Sequence, residues 1–383
     1  MGEFAFSVVI PYKQRLRNLR IVLSSLAEQT LPGSRFEVVV GAMEYAEEYL
    51  ELCREFAGRL NLVTVMADGE WNCSRARNMA LRQAAGEVVV LLDADVALPK
   101  RCLESLYDRY YATGQNVCVL GQLIGHDGLT DVAEADLPEQ THHRERLAEL
   151  DAASGLRGDK RWRFDPVVLP WTIVWTGFVA LPAAAVRRHD LYFDENFWGW
   201  GGEDLEWGYR VGASGTPIVR GEDVYGLHLP HARNVAANFR TCGVNKDYFL
   251  AKWPVLEVEL YRAYECWEAN RRYDEARSEV ASATGDSSLR LGVARGTVDG
   301  ADTLLIGAVL DEQGRIHDGE HDALFDAGAP DVVLPLVGLA LPFDEHSVSE
   351  CLLLPPVLRL GAPYRETVLR EAERVARRVV TPV

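Results

Sequence analysis

Three short stretches of this chain gather side chains that can do chemistry together. Residues 93–95 read Asp-Ala-Asp at the end of the apolar run VVVLLDADVALP. Two carboxylates one residue apart, at the carboxyl end of a buried strand, lie at the sheet edge where α/β folds bind ligands. Residues i and i+2 of a regular strand share one face, and a bend is expected after Leu92, where the apolar run ends. Hard divalent cations take carboxylates together with phosphate oxygens, so such a pair can bridge Mg²⁺ or Mn²⁺ to a nucleoside diphosphate. The same pair also fits a solvated turn. A further ligand is available from GLHLPHARN, in His228 and His231, and imidazole favours Mn²⁺ over Mg²⁺. Either histidine also reads as an ordinary loop residue.

The third stretch, WGWGGEDLEWGYR at 198–210, places Trp198 and Trp200 among Gly199, Gly201 and Gly202, directly before Glu203 and Asp204. Glycines allow positive φ and close approach of backbone, and indole faces are surfaces on which sugar rings stack. A carboxylate there can take a proton from a hydroxyl nucleophile, and adjacent acids raise each other's pKa. Asp204 equally fits the N-cap of a helix beginning DLEWGYRV.

The elements that must position these groups are legible as alternating patterns. FSVVIP, FEVVV, LVTVM and EVVVLL read as buried strands, separated by the helical LRNLRIVLSSLAEQ, EEYLELCREFAG and SRARNMALRQAA. Continuous apolar strands alternating with helices imply a parallel sheet covered on both faces, a nucleotide-binding α/β fold. From about 121 to 166 the sequence turns polar and reads as a long excursion with some helix rather than core. Apolar patterning returns at VVLPWTIVWTGFVALP. A charged helical extension from about 255 leads to a boundary near 285. Residues 286–383 read as a small α/β module with strands LRLGVARG, TLLIGAVLD and DVVLPLVGLALPF. A terminal helix follows, with Val368, Ala372, Val375 and Val379 on one face.

Bulk properties narrow the class. The chain has 383 residues and a formal charge of −17, which disfavours nucleic acid and anionic membrane surfaces as partners. Its seven cysteines form no CxxC spacing and suit reduced thiols, hence a cytoplasmic protein. The first apolar run stops at Pro11, so it is neither a signal peptide nor a membrane span, and no other segment is long enough for one.

Four segments together resemble a known family: SVVIPYKQRLRNLRIVLSSL, CSRARNMALRQAAGEVVVLLDADVALP, TGFVALPAAAVRRHDLYFDENFWGWGGEDLEWGYRV and GLHLPHARN. The chain is similar to GT-A inverting glycosyltransferases of family 2, and its catalytic segment to β-1,4-galactosyltransferases and bacterial chondroitin-type polymerases. The resemblance implies a Rossmann-like GT-A domain over residues 1–285 that binds a nucleotide diphosphate sugar, UDP-linked by preference, with Mn²⁺ or Mg²⁺. Carried over by position, Pro11, Tyr12 and Arg15 line the base and phosphates, as do Arg77 and Asn78, while Asp93 and Ala94 lie near the ribose. Asp95 ligates the metal with His228, with His231 as the rival and Asp93 as a further candidate. Gly177, Trp200 and Glu203 line donor sugar and acceptor, and Asp204 is the base. Retaining enzymes with a similar loop carry Asn at that place, so Asp204 implies inversion. One departure concerns the acidic residue that reads uracil in the family. Here Gly41 stands at that place, with Glu44 nearby.

The tail, ALPFDEHSVSECLLLPPVLRLGAPYRETVLREAERVARR, resembles the later half of a class I methyltransferase without its glycine-rich loop. It is expected to be a degenerate module serving homodimerisation or acceptor recruitment. The expected activity is transfer of a hexose or N-acetylhexosamine to a hydroxyl of a small molecule, natural product or peptide. A chondroitin-type polysaccharide transferase, a non-catalytic sugar-nucleotide binder and a methyltransferase fusion are the alternatives.

Overall fold

The structure is a computed structural model that describes residues 4–125, 140–231, 235–286, 288–317 and 324–381. Residues 126–139 of the expected polar excursion, and 232–234 of GLHLPHARN, lie outside the described residues. The strands are β1 (Phe6–Tyr12), β2 (Phe36–Ala42), β3 (Leu62–Met66), β4 (Val88–Leu92), β5 (Val96–Ala97), β6 (Cys118–Gly125), β7 (Phe178–Pro182), β8 (Ile218–His228), β9 (Arg290–Val298), β10 (Ala301–Leu310), β11 (Val332–Leu334), β12 (Val348–Leu353) and β13 (Ala376–Val380). The helices are α1 (Leu16–Ala27), α2 (Glu47–Phe56), α3 (Cys73–Leu81), α4 (Cys102–Leu106), α5 (Gln140–Ala152), α6 (Ala183–Arg188), α7 (Glu203–Ala213), α8 (Val235–Lys252), α9 (Leu256–Thr284), α10 (Pro355–Leu358) and α11 (Ala362–Val375).

The first sheet runs β3-β2-β1-β4-β7-β6-β8-β5. Its first half is parallel, with β1 paired to β2 and β4 and β2 paired to β3. Every residue of β1, β2 and β4 is buried, as expected of continuous apolar runs covered on both faces. Beyond β4 the sheet turns mixed: β7 is antiparallel to β4 and β6, whereas β8 is parallel to β6. Strand β6 runs into the stretch expected to be an excursion, its second half lying beyond residue 121. Its residues Cys118–Gln122 are buried, and the nearby Asp159–Arg161 ion pair is buried with it, so part of that polar sequence is core. Arg161 can be there because Asp159 and the carbonyls of Gly121 and Ile173 take its N–H groups.

The second sheet runs β11-β9-β10-β12-β13. The chain divides into compact units 1–166 with 170–245, and 167–169 with 246–383, whereas composition placed the boundary near 285. Long-range bonds explain the difference. Helix α9 sends buried Glu259 to the backbone N–H groups of Val337, Gly338 and Leu339, and Glu279 to that of Gly361. Of DVVLPLVGLALPF, Val332–Leu334 form a strand. The expected terminal helix stops at Val375. Val379 is therefore not on its face: Ala376–Val380 continue as β13, paired in parallel with β12, where β-branched residues suit a pleated edge.

Candidate functional site

The chain bends where the apolar run of β4 ends. After Leu92 closes β4, the Asp93 N–H donates to the Gly177 carbonyl at 3.1 Å and the Val96 N–H donates to the Asp93 carbonyl at 3.0 Å. This turn lets β5 pair antiparallel with β8, with Val96 opposite His228, and the Leu229 N–H binds the Asp95 carbonyl. Asp95 is consequently buried beside both histidines, its Oδ2 lying 3.2 Å from His231 Nε2 and its Oδ1 3.8 Å from His228 Nε2. One ligand atom from each of Asp95, His228 and His231 lies within 4.8 Å of the others, which fits a borderline divalent cation of the Mn²⁺ type. Asp93 is not in this group. Arg15 Nη1 meets Asp95 Oδ2 at 2.5 Å, setting a half-exposed guanidinium against the same carboxylate.

Asp93 instead faces Arg77, Nη2 to Oδ1 at 3.0 Å. Burial raises the Asp93 carboxyl above its ordinary range, and Arg77 pulls it back. The other guanidinium nitrogen of Arg77 bonds Asp204 Oδ1 at 3.1 Å and stands 3.6 Å from Glu203 Oε1. Asp204 also accepts from the Thr176 N–H at 3.1 Å and from the Thr176 hydroxyl. The N-cap of α7 is Gly202, at φ 93°, so Asp204 does not cap its helix. The Glu203 carboxyl is pushed up to about 7 by burial first and the Asp204 charge second, against Arg77.

The loop before α7 is held from one face of α8. Thr241 and Asn245, one turn apart, bind it at both edges: Trp200 N–H donates to Thr241 Oγ1, and Asn245 Nδ2 donates to the Trp198 and Gly201 carbonyls at 2.8 and 2.7 Å. The two indoles are left facing outward. Trp198 is 58% and Trp200 39% exposed, and Phe239 of α8 meets Trp200 edge to face at 6.2 Å. Gly177 borders Asp93, whose Oδ2 would be 3.4 Å from a Cβ there.

The remaining expected positions lie along the carboxyl edge of the parallel half. Pro11 and Tyr12 end β1, and Tyr12 is buried and stacked on Tyr49 with ring centres 4.7 Å apart. Glu44 accepts from the Gln14 N–H at 3.1 Å and also bonds the Tyr12 hydroxyl, so it props the loop after β1. Asn78 donates to the Phe193 carbonyl and Glu195 and accepts from the Phe193 N–H, bracing the approach to the tryptophan loop. Ala94 is buried in the turn between Asp93 and Asp95. Gly41 has a steric reason: a Cβ there would stand 2.0 Å from the Ala76 carbonyl oxygen, because α3 packs directly on the end of β2. Thr176, Thr241 and Asn245 were not anticipated from sequence. The available signals were the Thr before Gly177 and two small polar residues at i, i+4.

Comparison with known proteins gives the relatives. The profile described as Glycosyl transferase family 2 matches residues 7–158. A validoxylamine A glucosyltransferase of Streptomyces hygroscopicus subsp. jinggangensis is 30% identical over 300 residues, covering 72% of this chain and 71% of that protein. Chondroitin synthase of Escherichia coli is 29% identical over 247 residues, covering 60% of this chain and 35% of the synthase. Among solved structures, Staphylococcus aureus TarS 1–349 in complex with UDP-GlcNAc aligns at TM-score 0.49 and 19% identity, over 73% of this chain and 75% of that one.

Proposed function

The chain belongs to glycosyltransferase family 2, and from that membership we propose that it transfers a hexose or N-acetylhexosamine from a UDP-linked sugar to a hydroxyl of a small molecule, with inversion. The observation that carries this reading is the side-by-side placement of the Asp95–His228–His231 group and the Arg77-linked carboxylates Asp93, Glu203 and Asp204 around one bend of the chain. A divalent cation held by the first group supplies charge neutralisation on the departing diphosphate.

The residues of the chain supply the rest. Asp204 takes the proton of the acceptor hydroxyl as its oxygen bonds the anomeric carbon, the bond to the diphosphate breaks with its electron pair, and the nucleoside diphosphate leaves. Attack opposite the leaving group inverts the anomeric centre. Arg15, half-exposed beside Asp95, offers a cation to the diphosphate oxygens. Trp200 offers an apolar face to a sugar ring, and Glu203 a carboxyl to a ring hydroxyl. Pro11, Tyr12, Asn78, Ala94 and Gly177 shape the donor edge, and Glu44 acts through Gln14 and Tyr12 rather than as a free reader of the base. The similarity to a validoxylamine A glucosyltransferase favours a cyclitol or sugar-like small molecule as acceptor. Among the described residues no helix is long and apolar enough to cross a membrane. We assign the second unit to acceptor recruitment or pairing with a second copy.

The test is hydrolysis and transfer assayed with UDP-, GDP- and dTDP-sugars, with and without Mn²⁺, using validoxylamine A and simple glycosides as acceptors. A UDP-sugar consumed in a Mn²⁺-dependent manner supports the reading. Turnover of none of the three donor classes refutes it.

A further inference from the structure

Arg77 sits where a nucleotide contact is expected, yet its guanidinium is turned inward. Its side chain is 3% exposed, and it meets carboxylates from two elements: Asp93 after β4, and Glu203 and Asp204 at the start of α7. One cation therefore faces three acids. Its distances to the adjacent pair are unequal, 3.1 Å to Asp204 and 3.6 Å to Glu203. Thr176, just before β7, adds its N–H and its hydroxyl to Asp204. Hydrogen bonds donated to a carboxylate favour the anion, and Asp204 receives three.

We propose that Arg77 is the positioning residue that divides the protons of the Glu203–Asp204 pair, holding Asp204 as the ionised base and leaving on Glu203 the proton that the cluster retains. The proposal rests on the glycosyltransferase reading for its consequence, though not for its geometry. A protonated Glu203 donates a hydrogen bond to a substrate oxygen while Asp204 accepts one from the nucleophile, so the two adjacent acids take opposite roles. The groups that face the pair are Arg77 and the Cys73 thiol from α3, Asp93 from the turn after β4, and Thr176. Burial and the Asp204 charge act in the same direction on Glu203.

The scaffold explains how an arginine is kept under three acids. Helix α3 packs so closely on β2 that Gly41 has no room for a Cβ against Ala76, the neighbour of Arg77 in the chain. The guanidinium carbon lies 5.0 Å from the centre of the Phe193 ring, and that ring stacks at 5.2 Å and 6° on Trp207 of α7. The helix that bears the acids is thus tied to the arginine through two aromatic rings as well as through charge. Lysine, a single point charge, cannot reproduce a fork that reaches Asp93 with one nitrogen and Asp204 with the other.

The experiment is a carboxyl ¹³C titration of Asp- and Glu-labelled protein, in the wild type, Glu203→Gln, Arg77→Lys and Arg77→Met, alongside the pH profile of UDP-glucose hydrolysis with Mn²⁺. The wild type is expected to show two glutamate carboxyls titrating near neutrality, one that vanishes in Glu203→Gln and one, Glu259, that vanishes in Glu259→Gln. In Arg77→Met the acid limb of kcat should move up by at least about one pH unit, with Arg77→Lys intermediate. A near-neutral titration other than that of Glu259 that persists in Glu203→Gln overturns the proposal. So does an Arg77→Met whose titrations and acid limb match the wild type. If Arg77→Met does not fold, Arg77→Lys decides for the arginine and Glu203→Gln for the site of the proton. The titration needs no substrate, so a wild type that titrates as expected but hydrolyses no donor counts against the proposed donor and leaves the proton assignment standing.

Discussion

Replacing Asp204 with Asn separates the fold from the chemistry. Asp204 Oδ2 accepts the Thr176 N–H at 3.1 Å, while Oδ1 accepts Arg77 Nη1 at 3.1 Å and the Thr176 hydroxyl. An amide has one oxygen. Placed at Oδ1, it turns its NH₂ toward the Thr176 N–H; flipped, it turns the NH₂ toward the Arg77 guanidinium. Either way two donors face each other and one bond is lost, at a cost of about 1–3 kcal/mol. Folded proteins of this kind have roughly 5–15 kcal/mol in hand, so the variant should fold, melting a few degrees lower. The catalytic loss should be larger, because removal of a general base costs on the order of 10²–10⁴ in rate. That is roughly 3–5 kcal/mol on the barrier. The assay pairs thermal melting by circular dichroism with donor turnover at saturating substrate. An Asp204→Asn protein that melts cooperatively and keeps turnover within tenfold of the wild type would refute Asp204 as the base.

Mn²⁺ should raise the melting temperature of the wild type and leave that of Asp95→Asn or His231→Ala unmoved. Saturation to a hundred times Kd is worth about 2.7 kcal/mol, measurable by differential scanning fluorimetry. Gly41→Asp, which restores an acid at the place where the family carries one, should destabilise by about 1–3 kcal/mol or more in urea titrations and gain no uridine affinity. Its Cβ would collide with the Ala76 carbonyl oxygen at 2.0 Å. Asn245→Ala removes the bonds to the Trp198 and Gly201 carbonyls and should change the fluorescence of the exposed Trp198 and Trp200 while raising the acceptor KM more than it lowers donor hydrolysis. Glu259, buried, is raised to about 7, so the folded state holds a proton there that the unfolded chain has released; its contribution to stability is lost as pH climbs from about 4.5 to about 7. Melts across that range should fall with pH, with a shallower slope in Glu259→Gln.

Much of the site was readable because its parts lie in short segments. The apolar runs of β1, β2 and β4 announce parallel strands, and the Asp-Ala-Asp that follows β4 stands at the strand end where it was expected. An unbroken strand would set Asp93 and Asp95 on one face; the turn after Leu92, closed by the Asp93 carbonyl, sends them to different partners instead. Other features escaped because they are set by partners far along the chain. Nothing near Arg77 indicates that it will meet Asp204, 127 residues away. Strand β6 was hidden because the polar residues around it, Asp159 and Arg161, neutralise each other inside the core. The last strand reads as part of the terminal helix in sequence because Arg377 and Arg378 suit either element, and pairing with β12 decides between them.

By itself the sequence determined the inventory: an α/β sheet, paired aspartates at its edge, two late histidines, and a glycine and tryptophan loop leading into Glu203 and Asp204. These follow from residue types and from periods of two and of 3.6, which neighbouring residues carry. The tertiary structure decided which groups act on which. It put His231 as well as His228 against Asp95, withdrew Asp93 from that group to Arg77, and gave the raised pKa to Glu203. A carboxyl's charge depends on the cations, donors and solvent within a few ångströms of it, and here those neighbours come from α3, β4, β5, β8 and α7, which the sheet alone brings together.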